Sequence, residues 1–185
     1  MSIVLQSSWD FQFPLPPSVK GELIFWKENV RCLNGRPIGQ QFSGSRTIVY
    51  SDASDVGAGG VIKGRDGVIC HLPWSPDEAD RSSTWRELRA IHVCLSSFSK
   101  TLSSCAVQWF TDNRNIPSII RSGRMKRDIH HLALSIFKIV CRNSIDFQLD
   151  WIPRSLNDHA DAISRIIDSD DWGVSPGFFN HIDHI

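Results

Sequence analysis

Between residues 46 and 167, short β-branched runs give way to helical repeats in an order that few folds accommodate. RTIVYSD (46–52) is a strand-like run, and Gly57–Ile62 and Gly67–Pro73 are two more, joined by the turn residues Gly64-Arg65-Asp66-Gly67. A helical period then begins at Thr84 and continues to about Lys100, carrying Leu88, Ile91, Leu95 and Phe98 on one face. CAVQWFTD (105–112) is a fourth strand, followed by a short helix near 116–122. A longer helix over 126–142 places Ile129, Leu132, Ile136 and Ile139 together. IDFQLDWIP (145–153) is a fifth strand, and a last helix runs from about Leu156 to Ile167. The order βββαβααβα predicts an α/β fold with a mixed five-stranded sheet, three antiparallel strands then two parallel ones, flanked by helices.

The flanks differ in texture. Residues 1–45 form an arm with a Pro-rich stretch, FPLPP, and one helix-like piece, VKGELIFWKENV, in which Leu23, Trp26 and Val30 share a face. Residues 168–185 form a tail that opens acidic and ends apolar without a clear period. The 20 Lys+Arg balance the 20 Asp+Glu, so bulk charge points to neither nucleic acid nor a membrane. No apolar run approaches bilayer-spanning length, and the N-terminus lacks the basic and apolar regions of a signal peptide. Five scattered cysteines without a CxxC pair read as reduced thiols of an intracellular protein, cytoplasmic or nuclear.

Four acids stand where chemistry would be built. Asp52 ends the first strand and Asp112 the fourth, and side chains at the carboxyl ends of neighbouring parallel strands converge. Glu87 lies near the start of the first long helix and Asp161 in the early turns of the last one. Four carboxylates in one cleft repel one another unless divalent cations join them. Mg²⁺ takes oxygen ligands and pairs a few carboxylates with substrate phosphate. Two such ions about 3.5–4 Å apart would activate water and stabilise the leaving oxygen in phosphodiester cleavage. Each acid also has a plain structural explanation. Glu87 would close a capping box with Thr84, Asp112 would be a turn or cap residue, Asp52 a turn acid, and Asp161 a solvated helix acid. Ser155 and Asp158 look like a second capping box. Singly the structural roles prevail; all four together on this element order favour a metal site.

Four strings carry a family resemblance: TIVYSDASDVGAGGVI (47–62), SSTWRELRAI (82–91), QWFTDNRNIPSII (108–120) and WIPRSLNDHADAISR (151–165). They resemble the ribonuclease H domains of reverse-transcribing elements, with a texture nearest to DIRS-type (tyrosine-recombinase) retrotransposons. The resemblance implies a ribonuclease-H-like fold over 46–167 and makes Asp52, Glu87, Asp112 and Asp161 the metal-binding catalytic acids. It implies hydrolysis of the RNA strand of RNA–DNA hybrids with two Mg²⁺ ions, Mn²⁺ substituting. It also implies a reverse transcriptase polymerase domain as partner in a parent polyprotein, whose flanking segments the two ends of this chain resemble. One departure is visible. Cellular members place a His in the loop before the last helix, whereas 153–158 holds none and His159 follows inside the helix.

Substrate contacts are expected from Ser54, Asn113 and Asn115, which flank the acids and could meet 2′-hydroxyls. The basic stretch from Arg114 to Arg127, with Arg124 and Arg127, could meet phosphates, as could Arg154 and Arg165, which flank the Asp161 motif, though Arg165 serves as well to cap a helix end. A solvated helix junction explains the basic stretch equally well. Gly57, Gly59 and Gly60 either let a backbone approach closely or serve a tight strand. A non-catalytic module of the same fold, binding nucleic acid or a protein, is the alternative, disfavoured because such modules lose one or more acids. A resolvase or integrase of the same superfold fits the helix and ending motifs less well.

Overall fold

The computed structural model describes residues 14–33, 45–65, 68–122 and 127–167. The chain divides into two compact units, Met1–Gln41 and Phe42–Ile185. The first contains helix α1 (Pro17–Leu33), on which Leu23, Trp26 and Val30 are all exposed. The 168–185 tail lies outside the described residues.

The second unit holds the expected sheet. Strands β1 (Thr47–Ala53), β2 (Gly57–Ile62) and β3 (Ile69–Pro73) form an antiparallel meander. Strands β4 (Ala106–Thr111) and β5 (Asp146–Trp151) add in parallel, giving the order β3-β2-β1-β4-β5. β1 and β4 are therefore neighbours, with two strands outside one and one outside the other. The tight turn after β2 uses Gly64 at φ +75°, a left-handed conformation that glycine adopts without a Cβ clash.

Between β3 and the first long helix lies a short helix that the periodicity does not announce, α2 (Pro76–Ala79). It carries a reciprocal capping box between Ser75 and Glu78. Helix α3 (Ser83–Leu102) buries Leu88, Ile91, Leu95 and Phe98, the face its 3.6-residue period marks. α4 (Asn115–Ser122) and α5 (Arg127–Arg142) follow, with Ile129 and Ile136 buried and Leu132 and Ile139 packed against the core. The last helix, α6 (Asp158–Ser164), is shorter than its pattern suggests, because residues 154–156 form a 3₁₀ turn instead.

Adjacent glycines in β2 show how the layers meet. A Cβ on Gly60 would lie 2.5 Å from Cys94 Sγ on α3, whereas one on Gly59 would lie 2.3 Å from the Ser164 backbone nitrogen on α6. Consecutive strand residues point to opposite faces, so α3 and α6 cover opposite faces of the sheet. Of the two roles open to these glycines, close approach is the one the packing requires. The main core lies on the α3 side, where Val49, Ile62, Val107 and Trp109 of the sheet meet α3, α4 and α5. Trp109, fully buried, donates its indole N–H to Ser51 Oγ at 2.8 Å, which satisfies both polar groups. Cys70 and Cys94 are buried free thiols, and Cys105 and Cys141 are half-buried ones. Among the described residues no helix is long and apolar enough to cross a membrane.

Candidate active site

Strand register brings the first two acids together. Tyr50 pairs with Phe110 across the parallel β1–β4 ladder, so Asp52 and Asp112, two residues further along each strand, leave the sheet level with each other. Glu87 arrives from α3. It precedes Ile91 by four residues and Leu88 by one, which places it on the stripe that the helix buries rather than on its solvated face. The capping role open to Glu87 is not the one it takes. The N-cap of α3 is Ser82, whose hydroxyl accepts from the Trp85 N–H. Likewise Ser155 and Asp158 form no capping box, since the N-cap of α6 is Asn157 and carries no side-chain cap bond.

One carboxylate oxygen from each of Asp52, Glu87 and Asp112 lies within 4.8 Å of the others. Asp52 is 3% exposed and Glu87 7%, so these two are withdrawn from water, while Asp112 is half-buried at the rim. Desolvation, then the charges of Asp112 and Asp161, push the Asp52 carboxyl up to about 6 against the lowering hydrogen bond from Ser164. Desolvation and the charges of Asp52 and Asp112 push Glu87 up to about 9. Glu87 Oε2 is buried with no hydrogen-bond partner. A buried, partnerless carboxylate oxygen beside two further carboxylates is an unstable arrangement for a protein alone and a suitable one for a hard cation. The residues present therefore fit a divalent metal held by oxygen ligands.

Asp161 stands beside this trio rather than in it. Arg165, the C-cap residue of α6 four positions on, donates from Nε to Oδ2 at 2.9 Å and from Nη2 to Oδ1 at 3.1 Å. Arg154, from the 3₁₀ turn, donates to Oδ1 at 2.5 Å. These guanidinium bonds, Arg165 first, hold the Asp161 carboxyl below its ordinary range. The four acids of the sequence thus separate into a converging trio and a fourth carboxylate paired with arginine.

The scaffold beneath them has parts that local sequence reasoning missed. Ser164 Oγ donates to Asp52 Oδ2 at 2.9 Å, and Asn157 Nδ2 donates to the Ser51 carbonyl at 3.1 Å. Both join α6 to the end of β1. They are possible because Gly59, the register partner of Asp52, lets the α6 backbone lie directly on β2. The signal for Ser164 was present in the HADAISR string, where it follows Asp161 at the helical spacing of three.

The remaining candidates fall out as follows. Ser54 is buried, and its hydroxyl donates to the Ser164 carbonyl at 2.6 Å while accepting from the Val56 and Gly57 N–H groups. Asn113 is half-buried and accepts the Asn115 N–H at 3.0 Å, an Asx turn that starts α4; Asn115 itself is exposed. Arg114 stacks its guanidinium 4.4 Å from the Trp151 ring, and that indole donates to the Asp112 carbonyl at 2.9 Å. Arg124 and the side chain of Arg127 lie outside the described residues. Arg154 is 65% exposed in its side chain and borders the acids directly.

No family model matches the sequence, and no curated protein matches it. Solved structures do. Ribonuclease H1 of the halophilic archaeon Halobacterium salinarum superposes with a TM-score of 0.51 at 16% identity, over 64% of this chain and 94% of that one. LC11-RNase H1, crystallised with an RNA/DNA hybrid, superposes with a TM-score of 0.53 at 16% identity, over 64% and 93%. The strand order, the mixed sheet and the helices on both its faces are those of the ribonuclease-H-like fold.

Proposed function

We propose that this protein is a metal-dependent endoribonuclease that hydrolyses the RNA strand of RNA–DNA hybrids. The observation that carries the proposal is the trio of Asp52, Glu87 and Asp112. Three carboxylates from two adjacent parallel strand ends and a helix converge within 4.8 Å, two of them buried. Structural packing alone gives no reason to gather them. The fold supports the same reading, since LC11-RNase H1, which shares it, was crystallised with a hybrid.

In this reading Asp52, Glu87 and Asp112 hold Mg²⁺, with Mn²⁺ as substitute, and Asp161 completes a two-ion site. The ions supply an activated water and charge stabilisation at the leaving oxygen. The protein's own part is positional. Ser164 fixes the Asp52 carboxylate by its hydrogen bond, Trp151 fixes the loop that bears Asp112, and burial keeps Glu87 in place through the stiffness of α3. Arg154 and Asn115, exposed at the rim, are placed to meet phosphate and 2′-hydroxyl groups. The sequence texture extends the proposal to a retrotransposon setting, nearest the DIRS type, in which a polymerase domain of the same polyprotein holds the hybrid.

The test is cleavage of a strand-labelled RNA–DNA hybrid with and without Mg²⁺, beside an Asp52→Asn control. Metal-dependent cutting of the RNA strand, lost in the control, is the expected result. Failure with both millimolar Mg²⁺ and Mn²⁺ would remove the enzyme reading and leave a non-catalytic module of this fold.

A further inference from the structure

The fourth acid is withheld by its own neighbours. Both oxygens of Asp161 are occupied, Oδ2 by Arg165 Nε and Oδ1 by Arg165 Nη2 and Arg154 Nη2. A carboxylate gripped by two guanidiniums is a poor ligand for a cation. It must give up three charge-assisted hydrogen bonds, and the two positive charges beside it repel an incoming metal. The trio of Asp52, Glu87 and Asp112 suffers no such restraint, with Glu87 Oε2 unpartnered.

The arginines face solvent, whereas the carboxylate's backbone is held in α6. Their side chains are 65% and 52% exposed, against 24% for Asp161. Helix α6 is pinned. Ser164 bonds Asp52, Ser54 bonds the Ser164 carbonyl, and Asn157 bonds the Ser51 carbonyl. Any change at Asp161 is therefore a change of side-chain partners and not of the fold. A guanidinium fork that fits a carboxylate also fits a phosphate, and a nucleic-acid backbone presents phosphates at high local density.

We propose that Arg154 and Arg165 form a phosphate-responsive clamp on Asp161, which releases the carboxylate to the metal site when a substrate phosphate takes the guanidiniums. In the free protein the clamp leaves a three-carboxylate site. On substrate binding the phosphate draws the arginines away, and Asp161 becomes the fourth ligand. The second metal position is thereby built only when there is something to cut. This rests on the metal-dependent nuclease reading, and it assigns Arg154 and Arg165 a positioning role, acting through Asp161.

The experiment is calorimetric titration of the hybrid-free protein with Mg²⁺. It compares wild type, Arg154→Met/Arg165→Met, the conservative Arg154→Lys/Arg165→Lys, and Asp161→Asn alone and in the double Met background. The clamp predicts that the double Met variant gains Mg²⁺ affinity or a second bound ion, by about tenfold, the usual size of a coupling between sites. The Lys variant should fall between, since it keeps charge but loses the fork. Asp161→Asn should abolish the gain in the Met background and change little in wild type. Unchanged Mg²⁺ binding in both double variants, with wild-type binding intact, overturns the clamp and leaves the metal site standing. A loss of Mg²⁺ affinity on Asp161→Asn in otherwise wild-type protein also overturns it, because the carboxylate would then already be a ligand. Absence of Mg²⁺ binding in every variant sinks the nuclease reading itself, and the clamp with it.

Discussion

Replacing Asp52 by Asn should stabilise the metal-free protein, by an amount that depends on pH. Asp52 is 3% exposed, and burial with the nearby charges of Asp112 and Asp161 lifts its carboxyl from the ordinary 3.8 to about 6. A shift of about two units corresponds to about 3 kcal/mol, at 1.36 kcal/mol per unit. Because the folded state binds this proton more tightly than the unfolded state, its contribution is full below pH 4. It declines as pH rises and is gone above about 6. Asn carries no charge and keeps an oxygen to accept from the Ser164 hydroxyl, so it escapes the loss. At pH 8 the variant should therefore gain between about 1 and 3 kcal/mol, or several degrees of melting temperature, while at pH 4 the two proteins should unfold alike. Urea denaturation at both pH values, without divalent metal, measures this directly. An Asp52→Asn protein no more stable than wild type at pH 8 would refute the claim that the cleft stores repulsion. Adding Mg²⁺ should close the gap, since a ligand that binds only the folded wild type stabilises it by mass action, about 2.7 kcal/mol at a hundredfold excess over Kd, and should reverse the order at a thousandfold excess, where the gain is about 4.1 kcal/mol.

Three other outcomes are expected. Gly59→Ala would drive a Cβ to 2.3 Å from the Ser164 nitrogen and 2.7 Å from the Ala160 carbonyl, so it should cost about 3 kcal/mol in urea melts and suppress cleavage by lifting α6. Ser164→Ala removes a buried hydrogen bond to a carboxylate; a stability loss of about 1.5–3 kcal/mol above pH 6, shrinking as Asp52 is protonated, should appear in the same assay. A DNA duplex matching the hybrid in sequence should survive incubation with Mg²⁺ uncut, as shown on a denaturing gel; equal cutting would move the protein to the resolvase class.

Much of this fold is legible along the chain because its determinants are local. The β-branched runs at 47–53 and 106–111, the Leu88–Ile91–Leu95–Phe98 stripe and the turn glycine at 64 each report on residues within a few positions of themselves. The acids were visible for the same reason: Asp52 and Asp112 mark strand ends, and Glu87 and Asp161 lie in the early turns of their helices. The α6 start was misjudged because Ser155-x-x-Asp158 imitates a capping box, while the chain there spends a turn in 3₁₀ geometry. What no local pattern could decide is which groups meet across more than a hundred residues. Ser164 reaches Asp52 and Asn157 reaches Ser51 only because β1 sits mid-sheet and Gly59 beside it leaves no side chain between β2 and α6. The division of labour among the four acids belongs to the same level. Sequence makes them equals, whereas burial leaves Glu87 Oε2 without a hydrogen-bond partner and two solvent-facing arginines hold Asp161, because desolvation and ion pairing are properties of the packed surface and not of the residue.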